Sequence, residues 1–417
     1  MKNALCGTSA LVTVGLLAGS ASAASALKLG LSGFYRGAAG ILAGGDSAEI
    51  GNTGGVGDFA RTGNGFRTEL HINFTGQTTL NNGLTVGVTV NMNGGDLLSA
   101  GFTETPVRDS WVDFTGKFGD VRFGEFYSAA ILQCVLDPGN VTTNFGINSP
   151  LESFSDAAQG ALKTAAGNNI AARVVGVTAM GFIGTCFGTE TRGTKIAYFS
   201  PSVGGFTLAL SYTPSGTIRN PGGGYFYGSD LRIAPSSNVL SVGFNFNHSF
   251  SSDYTLLVGG GGEWGLSSYT RGGVSNPDKP STYMLGLQLG LPAGFKVGFS
   301  GEYNVNYKFG GFTATDASPG DDGWVTTFGG SYAFNDKLSV GLQGLYSQFQ
   351  TTLFGPGHDT IWGVSLNTAY IVGGGLSLEG QIAYHKYDPN PNNALGPGLQ
   401  PTKYSGVEID GGFVLIF

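Results

Sequence analysis

From Leu27 to the C-terminus this chain keeps returning to one pattern, in which apolar and polar residues alternate with a period of two. Leu84, Val86, Val88, Val90 and Met92 form one row, and Thr85, Thr89, Asn91 and Asn93 form the other. Phe206, Leu208, Leu210 and Tyr212 make a second apolar row, and Leu240, Val242, Phe244 and Phe246 a third. Period two belongs to extended strands, whose successive side chains point to opposite faces. No shift of composition or linker divides the chain, so its 417 residues read as one β domain. Alternation and turn residues together give sixteen strands, with seven short turns alternating with eight longer loops.

Composition says what surrounds those strands. Only 12% of the residues are charged, about half the fraction usual in a soluble protein. Glycines number 73, and 29 Phe and 17 Tyr are spread along the chain. After the N-terminus no apolar run reaches the roughly 18 residues a membrane helix needs. A barrel in lipid needs one apolar residue in two and aromatics at both interfaces. The expected fold is therefore all-β: a transmembrane antiparallel up-and-down β-barrel of about 16 strands. An even strand number, with short turns at one end and long loops at the other, is the bacterial outer-membrane pattern. Sixteen strands leave an aqueous channel rather than a packed core.

The first 23 residues read as an export signal: Lys2, an apolar run Ala10–Ala18, and the small residues Ala21-Ser22-Ala23. Cleavage after Ala26 fits nearly as well, and Cys6 leaves with the signal. The domain expected to remain is 24–417. The signal carries one Lys and no acid, so the remaining balance is 20 basic against 28 acidic residues, or −8. This excludes nucleic acid as a partner and leads us to expect a weak cation preference.

One stretch breaks the rhythm. Between Glu125-Phe126 and Lys195-Ile196 lie about sixty residues, 128–191, with no period-two pattern. A compact domain rarely carries so long an interruption without a functional reason. We expect it to fold inside the barrel and narrow the lumen, with Val174–Gly184 packed on the inner wall or on a neighbouring subunit. Cys134 and Cys186 both lie in it. In an oxidising periplasm they are expected to form a disulfide closing the loop on itself; two unpaired buried thiols are the alternative. Enzyme chemistry finds no support. His71, His248, His358 and His385 lack metal-ligand spacing, and Gly259–Gly262 sits in a strand rather than at the strand-to-helix turn that cradles phosphate. No metal or cofactor is expected.

Several motifs bring a family into view. Arg108 to Gly124, RDSWVDFTGKFGDVRFG, resembles the strand-turn-strand before the constriction loop of general bacterial porins, the 16-stranded trimeric outer-membrane family, in an alphaproteobacterial style. Thr194 to Gly205 resembles the strand and Ser-Pro turn after that loop, and Leu80 to Gly87 the first periplasmic turn. The chain ends on Phe417 with Phe413 and Leu415 two-spaced before it, similar to the family's signal for the barrel-assembly machinery. The resemblance implies a homotrimer in outer-membrane lipid and lipopolysaccharide, with one pore per subunit passing ions and small hydrophilic solutes. It implies an inward-folded third loop whose acids face a row of wall cations. Carried onto this chain, the cations are Arg36, Arg67, Arg108, Arg122 and Lys195, and the acids are Asp137, Glu152 and Asp156. The family often has Arg where this chain has Ala197, with Lys195 as its substitute. The other readings are a channel selective for sugars or another nutrient, and a barrel enzyme or adhesin.

Overall fold

The computed structural model describes residues 26–43, 64–94, 107–146, 185–186, 192–215, 237–267, 269–271, 274–276, 279–307, 321–350, 357–388 and 404–417. The signal at 1–23 and the segment Val174–Gly184 lie outside the described residues. The strands are β1 (Lys28–Ala43), β2 (Asn64–Thr79), β3 (Thr85–Gly94), β4 (Val107–Gly116), β5 (Gly119–Glu125) and β6 (Thr194–Phe199). They continue as β7 (Phe206–Ser215), β8 (Ser237–Ser249), β9 (Thr255–Ser267), β10 (Tyr269–Arg271), β11 (Val274–Asn276) and β12 (Ser281–Gly290). The last are β13 (Phe295–Tyr307), β14 (Asp321–Ala333), β15 (Leu338–Gln350), β16 (His358–Gly373), β17 (Leu376–Asp388) and β18 (Tyr404–Ile416). A short helix, α1 (Ala129–Gln133), follows β5.

Sixteen strands close into one barrel, each paired with its neighbour in the chain, while β10 and β11 form a separate two-stranded hairpin. The alternation runs as strand to Tyr269 and gives way to loop after it; the hairpin stands there, and β9 pairs directly with β12 across it. The barrel closes between β1 and β18, from Phe34 opposite Ile416 to Ala43 opposite Val407. Phe417 extends the seam by exchanging two backbone hydrogen bonds with Gly33, of 2.8 and 3.0 Å. Closure leaves no barrel edge with unpaired backbone, which lipid would make costly.

The two faces invert the order of a soluble protein. Phe123, Leu342, Leu366 and Ile382 point outward and are half exposed or more, while Ser241, Thr282, Ser300 and Thr327 point inward and are buried. Lipid is the outer solvent, so the apolar row belongs there. On β4, Trp111 and Val112 compete for that face in the sequence. Register decides between them: Val112 lies opposite Val88 and Phe123, both exposed apolar residues, so Trp111 faces inward. Outer aromatics gather toward the long-loop end, where Trp264 Nε1 donates to Tyr283 Oη at 3.1 Å and Trp324–Tyr346 and Trp362–Tyr384 pair with centroids 5.2 Å apart. Phe206–Phe244 and Phe295–Tyr332 pair near the short turns.

The short turns follow their residues. At Leu80–Leu84 the positive φ falls on Gly83 alone, at +82°, while Asn82 Oδ1 accepts from Leu84 N at 3.1 Å. The Asn-Gly pair therefore divides the work: Gly83 takes the positive φ and Asn82 the side-chain bond. Gly373, Gly374 and Gly375 take three positive φ angles in succession, which only glycine adopts without strain.

Candidate functional site

After β5 the chain leaves the barrel wall and turns back onto its polar inner face. Ser128 starts this arm as the N-cap of α1, its Oγ accepting from Ile131 N at 3.4 Å and donating to Glu263 on β9. The first N–H groups of a helix have no partner within it. Here the wall supplies them: Ala129 N donates to Ser211 Oγ on β7 at 3.0 Å and Ala130 N to Ser241 Oγ on β8 at 2.9 Å. The helix ends at Cys134, which is bonded to Cys186 with Cα atoms 5.7 Å apart. The returning arm is fixed beside it, since Thr185 Oγ1 lies 2.5 Å from Ser300 Oγ on β13. The disulfide thus forms as expected.

Beyond the helix the arm, 128–146, continues across the wall as a belt. Asp137 is buried there and accepts from Gly139 N at 2.9 Å, Thr327 Oγ1 on β14 at 2.6 Å and Gln343 Nε2 on β15 at 2.7 Å. Val141 N donates to Asn367 Oδ1 on β16 at 2.8 Å. Glu379 on β17 accepts from Thr143 N and Oγ1 at 2.9 Å each with one oxygen, and from Asn144 N at 2.8 Å with the other. Asn144 Nδ2 reaches Phe413 O on β18 at 3.1 Å, and Arg36 on β1 donates to Thr143 O. The belt therefore runs from β7 round to β1. Wall carboxylates accepting from backbone N–H groups form charge-assisted bonds, stronger than neutral ones.

The strands from β2 to β6, which the belt leaves open, and β1, where it ends, carry cations. Arg36 donates through Nε to Glu69 Oε2 at 2.7 Å, and the other Glu69 oxygen lies 2.5 Å from His71 Nε2. His71 Nδ1 lies 2.9 Å from Arg108 Nη1, so the imidazole stands between Glu69 and the arginine. Phe34 stacks on His71 with centroids 4.4 Å apart. The row continues through Asp109, 3.9 Å from Arg108 and 3.0 Å from Arg192, whose guanidinium lies 4.4 Å over the Tyr127 ring. Nearer the short turns Arg122 pairs with Asp120 at 2.8 Å and sits between the Phe199, Trp111 and Phe126 rings, 4.8, 5.2 and 5.4 Å from their centroids.

The sequence candidates are thus distributed unevenly. Arg36, Arg108 and Arg122 share the β1–β5 inner wall and remain partly exposed. Lys195 is fully buried and donates to the carbonyls of Phe126 and Gly193, tying the start of the loop to its end. Arg67 lies on β2 opposite Ala38, its side chain outside the described residues, as are Glu152 and Asp156 altogether. Asp137 faces the wall rather than the cations. Glu302, Glu379, Glu408 and Asp410 point inward as their parity requires, and Glu379 holds the belt. Sequence reading missed Arg192, Asp109 and Glu263. Parity alone could have placed Glu263 inward; Asp109 shares the undecided face of Trp111 on β4, and nothing local marks Arg192 as its neighbour.

A family profile described as Gram-negative porin matches residues 7–390. No curated protein matches the sequence. Among solved structures, the outer membrane channel DcaP of Acinetobacter baumannii superposes with a TM-score of 0.59 at 13% identity, covering 94% of this chain and 97% of that one. The trimer form of OmpT from Vibrio cholerae gives 0.54 at 11% identity, covering 94% and 99%. An anion-selective porin from Comamonas acidovorans gives 0.54 at 14% identity, covering 94% and 100%. At such identities the likeness is one of fold.

Proposed function

Because the chain belongs to the Gram-negative porins, and so forms an outer-membrane diffusion channel rather than an enzyme, we propose that its selectivity is set where the 128–146 belt faces the cations of β1–β6. The observation that carries this reading is the split of charge across the lumen. One side holds Arg36, Arg108, Arg122 and Arg192 in ion pairs with Glu69, Asp109 and Asp120. The other holds acids on strands that carry no arginine: Glu302, Asp359, Glu408 and Asp410, beside Glu263, Glu379 and Asp137, which the belt–wall hydrogen bonds commit. Opposed charges across a narrow wet gap create a transverse field, which orders water and disfavours apolar solutes, while the sign in excess sets ion preference. Arg67 joins the basic side, and Glu152 and Asp156 the acidic side. Lys195 and Asp137 serve the constriction by anchoring it. With acids in excess, the channel prefers cations weakly.

The same reading takes residues 1–23 as a cleaved signal, 24–417 as the barrel domain and 128–191 as the constriction loop. Phe413, Leu415 and Phe417 form the assembly signal read by the barrel-assembly machinery. The working form is a homotrimer in outer-membrane lipid and lipopolysaccharide, supported by the trimeric fold relative. Planar-bilayer recording of the refolded mature protein tests this. Large, steady conductance in groups of three equal steps is expected. No conductance from folded, heat-modifiable protein would overturn it.

A further inference from the structure

Each time the belt crosses a strand between β8 and β15, it meets glycine. A Cβ added at Gly243 on β8, Gly259 on β9, Gly286 on β12 or Gly341 on β15 would stand closer than 3.0 Å to a belt carbonyl. Those carbonyls belong to Ala129, Gln133, Val135 and Gly139 respectively. On β13 a Cβ added at Gly298 would stand 2.9 Å from Pro138 Cδ, and on β14 one added at Gly329 would stand 2.7 Å from Gly139 Cα. Belt residue and strand advance together. Five inter-strand steps of about 4.8 Å make about 24 Å, a span that ten residues with one helical turn can cover. Beside these glycines the wall supplies bonding side chains: Ser241, Thr327 and Gln343 hold the belt at the same crossings.

We infer that this glycine track is a size-selectivity determinant of the channel: the missing side chains let the belt lie flush against the wall, and so set how much lumen stays open. The inference rests on the reading that the belt narrows the conducting pore. Period-two alternation requires an inward side chain at each of these positions, and any Cβ there would lift the belt toward the pore axis. The glycines thereby act on permeation through the belt, as positioning residues. Not every barrel glycine has this role. Gly411 faces outward, and a Cβ there meets nothing within 4 Å.

Gly286→Ala and Gly341→Ala test the track, with Gly411→Ala as the control, all read as folded, heat-modifiable protein in planar bilayers and by liposome swelling with sugars of rising size. Both track variants are expected to lower single-channel conductance by roughly a factor of 2, and the exclusion limit with it; Gly411→Ala is expected to match the wild type. Folded track variants with wild-type conductance and exclusion limit would overturn the inference. Should alanine prevent folding, a lock on the native track decides: Val141→Cys with Asn367→Cys crosslinks a belt already hydrogen-bonded to the wall. Unchanged conductance supports a seated belt, and altered conductance overturns it. Absence of conductance in every protein, wild type included, would instead refute the channel reading beneath it.

Discussion

The inner wall of β7–β18 and that of β1–β6 face the same water and use charge in opposite ways. On the first, carboxylates and amides are committed: Glu263 to Ser128, Glu379 to Thr143 and Asn144, Gln343 to Asp137. On the second, arginines are paired in a row yet keep part of their surface open to the lumen. One wall docks the belt; in the proposed reading the other is the permeation surface. Inward polarity alone therefore does not identify a pore-lining charge; what decides is whether a second segment takes its hydrogen bonds.

The dock should respond in stability and channel noise, the open wall in selectivity. The largest effect is expected from Cys134→Ser with Cys186→Ser. The sequence separation is 52, for which the chain-entropy estimate gives about 4 kcal/mol. The barrel should keep its heat-modifiable gel shift while residues near 134–146 become sensitive to protease and the open channel flickers. A barrel lost outright would show that the dock and the wall do not separate. Next comes Glu379→Ala, which strips acceptors from two belt N–H groups and one hydroxyl and is expected to cost about 2–3 kcal/mol. Urea titration followed by proteolysis of the belt checks it, and Glu379→Gln, which keeps one carbonyl acceptor, should lose less. Smallest is Trp111→Leu, which removes one of three rings around Arg122 at an expected cost of about 0.5–1 kcal/mol. Thermal dissociation of the folded barrel reads this, with little change in reversal potential.

Much of the barrel is legible in the chain because period two records both strand and face. Leu84 to Met92 needs no partner to be read, and short turns such as Gly373–Gly375 show themselves by composition. The site is less legible because its partners are remote. Asp137 finds Thr327 and Gln343 at separations of 190 and 206 residues, and Glu379 finds Thr143 at 236. Local pattern gives Asp137 as an acid in a loop and Glu379 as an inward strand residue. Only closure of the barrel brings them into one belt contact. Trp111 was undecidable for a related reason: its face follows from the register of β4 against β3 and β5, not from β4 itself.

The most direct test of the split between the walls is the reversal potential of Arg108→Gln beside wild type in a planar bilayer under a salt gradient. Arg108 sits on the open wall, next to His71 and Asp109, and holds no belt atom in the contacts described above. The wild type should be weakly cation-selective, and the variant should shift further toward cations while its conductance stays within channel-to-channel scatter. A reversal potential that does not move, or a wild type that prefers anions, would contradict the assignment of β1–β6 as the basic face of the permeation path.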